Sequence, residues 1–93
     1  MLYQFISLPD ETEISYSEVK KDKLGHDTVR IYIEKWDEQR NDFDCVEFYL
    51  PKFNITKNKG FSDAIIKEHM KHIHNLQDVI WECALEKRCS INA

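Results

Sequence analysis

The chain has 93 residues, of which 42% are hydrophobic and 32% are charged, and its net charge is −4. This length and composition predict one compact domain, residues 1–93, which is too short for a multi-domain enzyme. The excess of acidic side chains disfavours broad nucleic-acid binding, because affinity for a phosphate backbone comes from lysine and arginine.

The first half of the chain contains short runs in which apolar and polar residues alternate, a pattern typical of β-strands. In the clearest run, Val29, Ile31 and Ile33 alternate with more polar residues, as in a sheet with one buried face. Pro51 ends the last run because proline cannot donate to a strand ladder. The predicted strands are residues 2–8, 13–19, 28–36 and 45–50.

The second half has helical periodicity. Ser62 is the predicted N-cap, and a stripe of apolar residues follows it at helical spacing. The stripe consists of Ile66, Met70, Ile73, Ile80 and Ala84. One helix over residues 62–88 accounts for this pattern. A pair of helices broken near Asn75 accounts for it equally well, because Asn75 and Asp78 form a second potential cap.

Strands followed by helical sequence predict an α+β two-layer sandwich. The connections between the strands are too short for helical crossovers, so we expect a mainly antiparallel sheet of about four strands. The C-terminal helix or helix pair should pack on one face of that sheet.

Part of the chain resembles the domain of unknown function 4160 family of small bacterial proteins. The likeness covers roughly residues 26–88 and is carried by the stretch Cys45–Pro51, by Gly60-Phe61-Ser62, and by Leu76 and Trp81 in the helical segment. The family usually has a His-x-His strand after a proline-rich turn, whereas this chain has only His26 in the corresponding region. The resemblance implies one half of a bacterial toxin–antitoxin-like pair, without an established activity.

Three histidines lie close together in the helical segment, which raises the question of a metal site. Glu68, His69 and His72 could meet one ion only if their side chains converged, and the sequence offers no recognisable further ligand. His69 falls within the apolar arc, so a core position explains it more simply. We therefore expect no metal site at these three residues.

No signature of catalysis or of a cofactor accompanies the cysteines or glycines. Neither Cys45 nor Cys83 lies in a recognisable nucleophile motif, and Cys89 leaves an odd, unclustered set that predicts reduced thiols. With only Gly25 and Gly60 there is no phosphate-binding loop, so we expect no cofactor and no enzymatic activity.

The sequence offers no sign of a membrane protein. No run approaches the roughly 18 apolar residues that cross a bilayer, and the N-terminal residues lack the pattern of a secretory signal. We therefore expect a cytoplasmic protein without a membrane partner.

The charges are distributed unevenly along the chain. Residues 1–50 carry twelve acidic and six basic side chains, whereas residues 52–74 carry five basic and two acidic ones. This polarity favours docking to an oppositely patterned protein or to a second copy. The basic residues also define the alternative, a nucleic-acid-binding or nuclease-type toxin. They are Lys52, Lys57, Lys59, Lys67 and Lys71.

Three aromatic residues complete the candidate binding surface. Tyr32, Trp36 and Tyr49 alternate with the aliphatic residues of their strands, so a helix on the aliphatic face leaves them on the other face. The sequence therefore predicts a small non-catalytic protein-interaction module. The nucleic-acid alternative, and a metal-binding protein using His69 and His72, remain open.

Overall fold

A computed structural model describes residues 2–86 as one antiparallel sheet and one helix. The five longer strands lie in the order β1-β2-β4-β5-β6, and the short β3 pairs with β4. The α+β prediction, with a helix packed on one face, is confirmed. The elements are β1 (Leu2–Ser7), β2 (Thr12–Ser17), β3 (Lys20–Lys21), β4 (Asp27–Asp37), β5 (Asp42–Leu50), β6 (Asn54–Lys59) and α1 (Asp63–Leu85).

The core lies between α1 and one face of the sheet, which we call the inner face. β4 contributes Val29, Ile31 and Ile33, all fully buried. The neighbouring strands β2 and β5 add the residues whose side chains point to the same face. α1 covers them with its apolar stripe, in which Ile73 and Ile80 are fully buried. The alternation in the strands and the helical stripe therefore match each other across the core.

The helix begins and continues for identifiable reasons. Ser62 accepts a hydrogen bond from the backbone N–H of Ile65 at 3.3 Å, which confirms the predicted N-cap. The alternative of two helices broken near Asn75 is wrong, because α1 is continuous for 23 residues. Asn75 is exposed, and the stripe stays in phase on both sides of it, so one continuous helix buries both halves. The predicted end at residue 88 lies outside the described residues.

Within residues 2–86 the sheet has six strands, two more than the approximate number expected. The largest omission is β6, whose six residues are all exposed at the sheet edge. Ile55 is its only apolar residue, so β6 has no alternating pattern to detect. The two-residue β3 lies between the predicted strands 13–19 and 28–36, outside both. The start of β5 is also earlier than expected, at Asp42 instead of residue 45.

We predict that shortening Ile73 to alanine destabilises the fold far more than the same change at Val79. Ile73 is fully buried between helix and sheet, so Ile73→Ala should lower the free energy of unfolding by about 2–5 kcal/mol. Val79 lies on the same helix but is 47% exposed, so Val79→Ala should change it by less than about 0.5 kcal/mol. Denaturant unfolding measures both values, and equal losses would contradict the described packing.

Candidate functional site

The candidate site is the face of the sheet opposite α1, which we call the outer face. α1 is the sole helix among residues 2–86, and it lies on the inner face. The outer face therefore has no helical cover within the described chain. Its side chains are the residues that alternate with the core positions. On β2, β4, β5 and β6 they include Glu13 and Ser15 of β2, Arg30, Tyr32, Glu34 and Trp36 of β4, Phe43, Cys45, Glu47 and Tyr49 of β5, and Lys57 and Lys59 of β6.

Aromatic side chains occupy the two central strands of this face. Trp36 pairs with Phe43 across β4 and β5, and their ring centroids lie 5.0 Å apart in an edge-to-face arrangement. These two side chains are 36% and 44% exposed. Tyr32 and Tyr49 lie farther along the same two strands and are half-buried. The register thus places all three predicted aromatic residues on the outer face.

Phe43 is the member of this group that sequence reasoning missed. The predicted strand over residues 45–50 begins two residues after Phe43. Its spacing of two residues from Cys45 and four from Glu47 could have identified it, because residues that alternate in a strand share a face. The β4–β5 hairpin therefore carries an aromatic pair near its turn, and not Trp36 alone.

A polar network fixes the middle of the outer face. The Arg30 guanidinium pairs with the Glu47 carboxylate, which also accepts a hydrogen bond of 2.9 Å from the Thr56 hydroxyl. The Arg30 guanidinium lies 5.8 Å from the centre of the Tyr32 ring. Burial and a hydrogen bond with Cys45 raise the pKa of Tyr32 to about 12. The phenol is therefore neutral at physiological pH, and this part of the face is pre-organised.

The remaining charges of the outer face are divided between its two sides. Lys59 at the β6 edge pairs with Asp42. Within the described residues, Lys57 has no ion-pair partner, and neither do Glu13 and Glu34 on the β2–β4 side. One side of the face is acidic and the other is basic.

The five lysines predicted as a basic segment do not form one surface. Lys57 and Lys59 extend along the outer face at β6, whereas Lys67 and Lys71 are exposed on α1 in the opposite layer. Lys52 lies in the turn after β5 and lines a cleft of about 440 Å³ together with residues of β3. The fold therefore disperses the charge that the sequence concentrates.

The histidine cluster is likewise divided by its surroundings. His69 is half-buried, and its ring centroid lies 5.7 Å from that of Phe61 in an edge-to-face contact. Glu68 and His72 are exposed. Within residues 2–86, no group of three or more histidine, cysteine or acidic side chains is arranged to hold a metal ion. Burial lowers the pKa of His69.

Cys45 and Cys83 are both buried, Cys45 beneath the outer face and Cys83 near the end of α1. Cys89 lies outside the described residues.

Comparison with known proteins finds no match among family models, curated proteins or solved structures. The described chain also has no helix with the length and apolar character needed to cross a membrane.

We predict that His69 makes the fold less stable in mild acid. Its pKa in the fold lies below the ordinary value of 6.5, so the unfolded chain takes up a proton first as the pH falls. The free energy of unfolding should therefore decrease from about pH 6.5 down to the lowered pKa. His69→Gln should remove this part of the decrease, and His72→Gln, at an exposed position on the same helix, should retain it.

Thermal or denaturant unfolding between pH 7 and pH 5 measures this difference. Suppose that the free energy of unfolding falls by the same amount in His69→Gln as in the unmodified chain and in the His72→Gln variant. Protonation of His69 then does not destabilise the fold.

Proposed function

We propose that this chain is a small non-catalytic protein-interaction module whose docking surface is the outer face of its sheet. The observation that carries the proposal is the Trp36–Phe43 pair, which stays exposed on a sheet face that has no helix over it. Aromatic side chains are enriched at the centres of protein interfaces, where they bury much area at little cost in conformational entropy.

The size of the outer face suits such a role. Five strands at a spacing of about 4.8 Å give a width of about 24 Å, and a nine-residue strand such as β5 is about 30 Å long. The resulting footprint is on the order of 700 Å², close to the roughly 800 Å² that each partner buries in a standard interface. One partner of ordinary size could therefore cover it.

The charges of the outer face favour a protein over a nucleic acid. Arg30 and Lys59 already pair with carboxylates of the same chain, and Glu13 and Glu34, which have no ion-pair partner among the described residues, would repel phosphates. The face thus offers charges of both signs beside an exposed aromatic pair, a combination that suits contact with a protein surface. Nucleic-acid binding through residues 52–74 is the weaker candidate because α1 and β6 hold its lysines in opposite layers.

The role as one partner of a toxin–antitoxin-like pair remains a prediction that depends on the resemblance to the domain of unknown function 4160 family. The cytoplasmic location also remains a prediction.

The proposal predicts that removing the aromatic pair abolishes protein binding without unfolding the chain. We expect the tagged chain to retain a protein, either a second copy or another chain, when it is isolated from its native cells at high salt. A Trp36→Ala/Phe43→Ala variant should lose that protein, and Val79→Ala, which trims an exposed apolar side chain of α1, should keep it. Circular dichroism shows whether each variant is folded.

The lysines provide a second, independent measurement. Acetylation followed by mass spectrometry should show Lys57 protected in the complex, and Lys67 and Lys71 as reactive as in the isolated chain. Protection of Lys67 and Lys71 alone would place the interface on α1 and refute the proposal. Recovery of RNA or DNA that dissociates steeply with added salt would instead support the nucleic-acid candidate.

A further inference from the structure

Cross-strand pairing arranges the outer face in rows that can be followed from β2 to β6. One row contains Glu13, Glu34, Cys45 and Lys59, and the next contains Ser15, Tyr32, Glu47 and Lys57. Trp36 and Phe43 form a further row, beyond Glu34 and Cys45, across the two central strands. Each row thus has a defined position along the strands, and each side chain has a defined position across them.

The unpaired charges lie at opposite ends of these rows. Glu13 and Glu34 lie on the β2–β4 side, and Lys57 lies on β6. Glu47 does not contribute to the imbalance because Arg30 and Thr56 already engage its carboxylate. Across the strands, the face therefore runs from an acidic side to a basic side, and the aromatic pair lies on β4 and β5 between them.

From this arrangement we propose that a second copy of the chain binds the outer face, related by a twofold axis that runs parallel to the strands between β4 and β5. The proposal rests on the function proposed above and names the partner. Such an axis reverses the order of the strands but leaves each row at its own level. It places β2 of one copy over β6 of the other, and β4 over β5.

This geometry makes the two copies complementary. Glu13 of one copy faces the β6 edge of the other, where Lys59 lies in the same row and Lys57 in the next, about 6.6 Å along the strand. That separation is within reach of a lysine side chain. Trp36 of one copy faces Phe43 of the other, so four rings meet around the axis. Two aligned sheets pack about 10 Å apart and rotated by about 30°, which leaves these neighbours in contact range.

Two other symmetric pairings bring like charges together. A twofold axis perpendicular to the strands in the plane of the face would place β6 over β6, with Lys57 of the two copies on the same side. Edge pairing of β6 with a second β6 would also bring the lysines of the two copies side by side, which destabilises a strand pair. The uncharged edge strand β1, whose pairing with β2 is irregular between Gln4 and Ile6, provides a competing dimer that the experiment must distinguish.

The test is a mixing experiment with two charge-reversal variants, Glu13→Lys and Lys57→Glu. In a homodimer of Glu13→Lys, lysine faces lysine at both ends of the interface, and in a homodimer of Lys57→Glu glutamate faces glutamate. Each variant alone should self-associate at least about tenfold more weakly than the unmodified chain, since like charges across an interface are strongly unfavourable. An equimolar mixture restores both opposite-charge contacts, so it should recover the original affinity within about threefold.

Sedimentation equilibrium gives the masses and affinities, and circular dichroism shows that each variant is folded. Two controls accompany the mixing experiment. Lys71→Glu reverses a charge on α1 and should leave dimerisation unchanged, and Trp36→Ala/Phe43→Ala should abolish it.

Three results would overturn the proposal, and they differ in what they mean for the function. If the unmodified chain is monomeric at all accessible concentrations but the aromatic pair is needed to bind another protein, self-pairing is refuted and the proposed function stands. If each charge variant weakens the dimer but the mixture stays as weak, the twofold axis is wrong. If charge and aromatic variants have no effect and Ile6→Lys on the β1 edge abolishes the dimer, edge pairing is correct and the outer face is not the docking surface.

Discussion

The packing of one amphipathic helix against one face of an antiparallel sheet is the constraint from which the other features follow. The apolar stripe of α1 buries the aliphatic residues of β2, β4 and β5, and Ile73 and Ile80 lie fully inside that contact. Residues along a strand alternate between two faces, so burying one set necessarily presents the other. The outer face with its aromatic pair is the direct counterpart of the core.

The same alternation explains why the outer face combines aromatic rings with charges. Side chains on a sheet face that contacts only solvent are usually polar. The Arg30–Glu47–Thr56 network fits that expectation. Trp36 and Phe43 do not, because each remains more than a third exposed. Trp36 and Phe43 therefore mark the part of the outer face where contact with a second surface would bury the most apolar area.

Those parts of the fold that depend on strong periodicity were predictable from the sequence. β4 has nearly the predicted limits, and the helix begins where Ser62 indicated, because burial of one face imposes a regular spacing on the residues. β6 was not predictable, since an exposed edge strand is held by backbone hydrogen bonds and needs no apolar pattern. Continuity of α1 through Asn75 depends on the sheet beneath it, which local capping signals do not encode.

The candidate site was predictable in Tyr32, Trp36 and Tyr49. The separation of the lysines into two layers requires the three-dimensional structure.

The fluorescence of Trp36 as a function of protein concentration tests the central claim, that the outer face becomes covered, most directly. Trp81→Phe leaves Trp36 as the single tryptophan, and acrylamide quenching then reports on the outer face alone. We expect quenching to decrease as the chain associates, over the same concentration range in which sedimentation shows the mass doubling. Quenching that stays constant while the mass doubles would show that association leaves the outer face open to solvent, and would contradict the account.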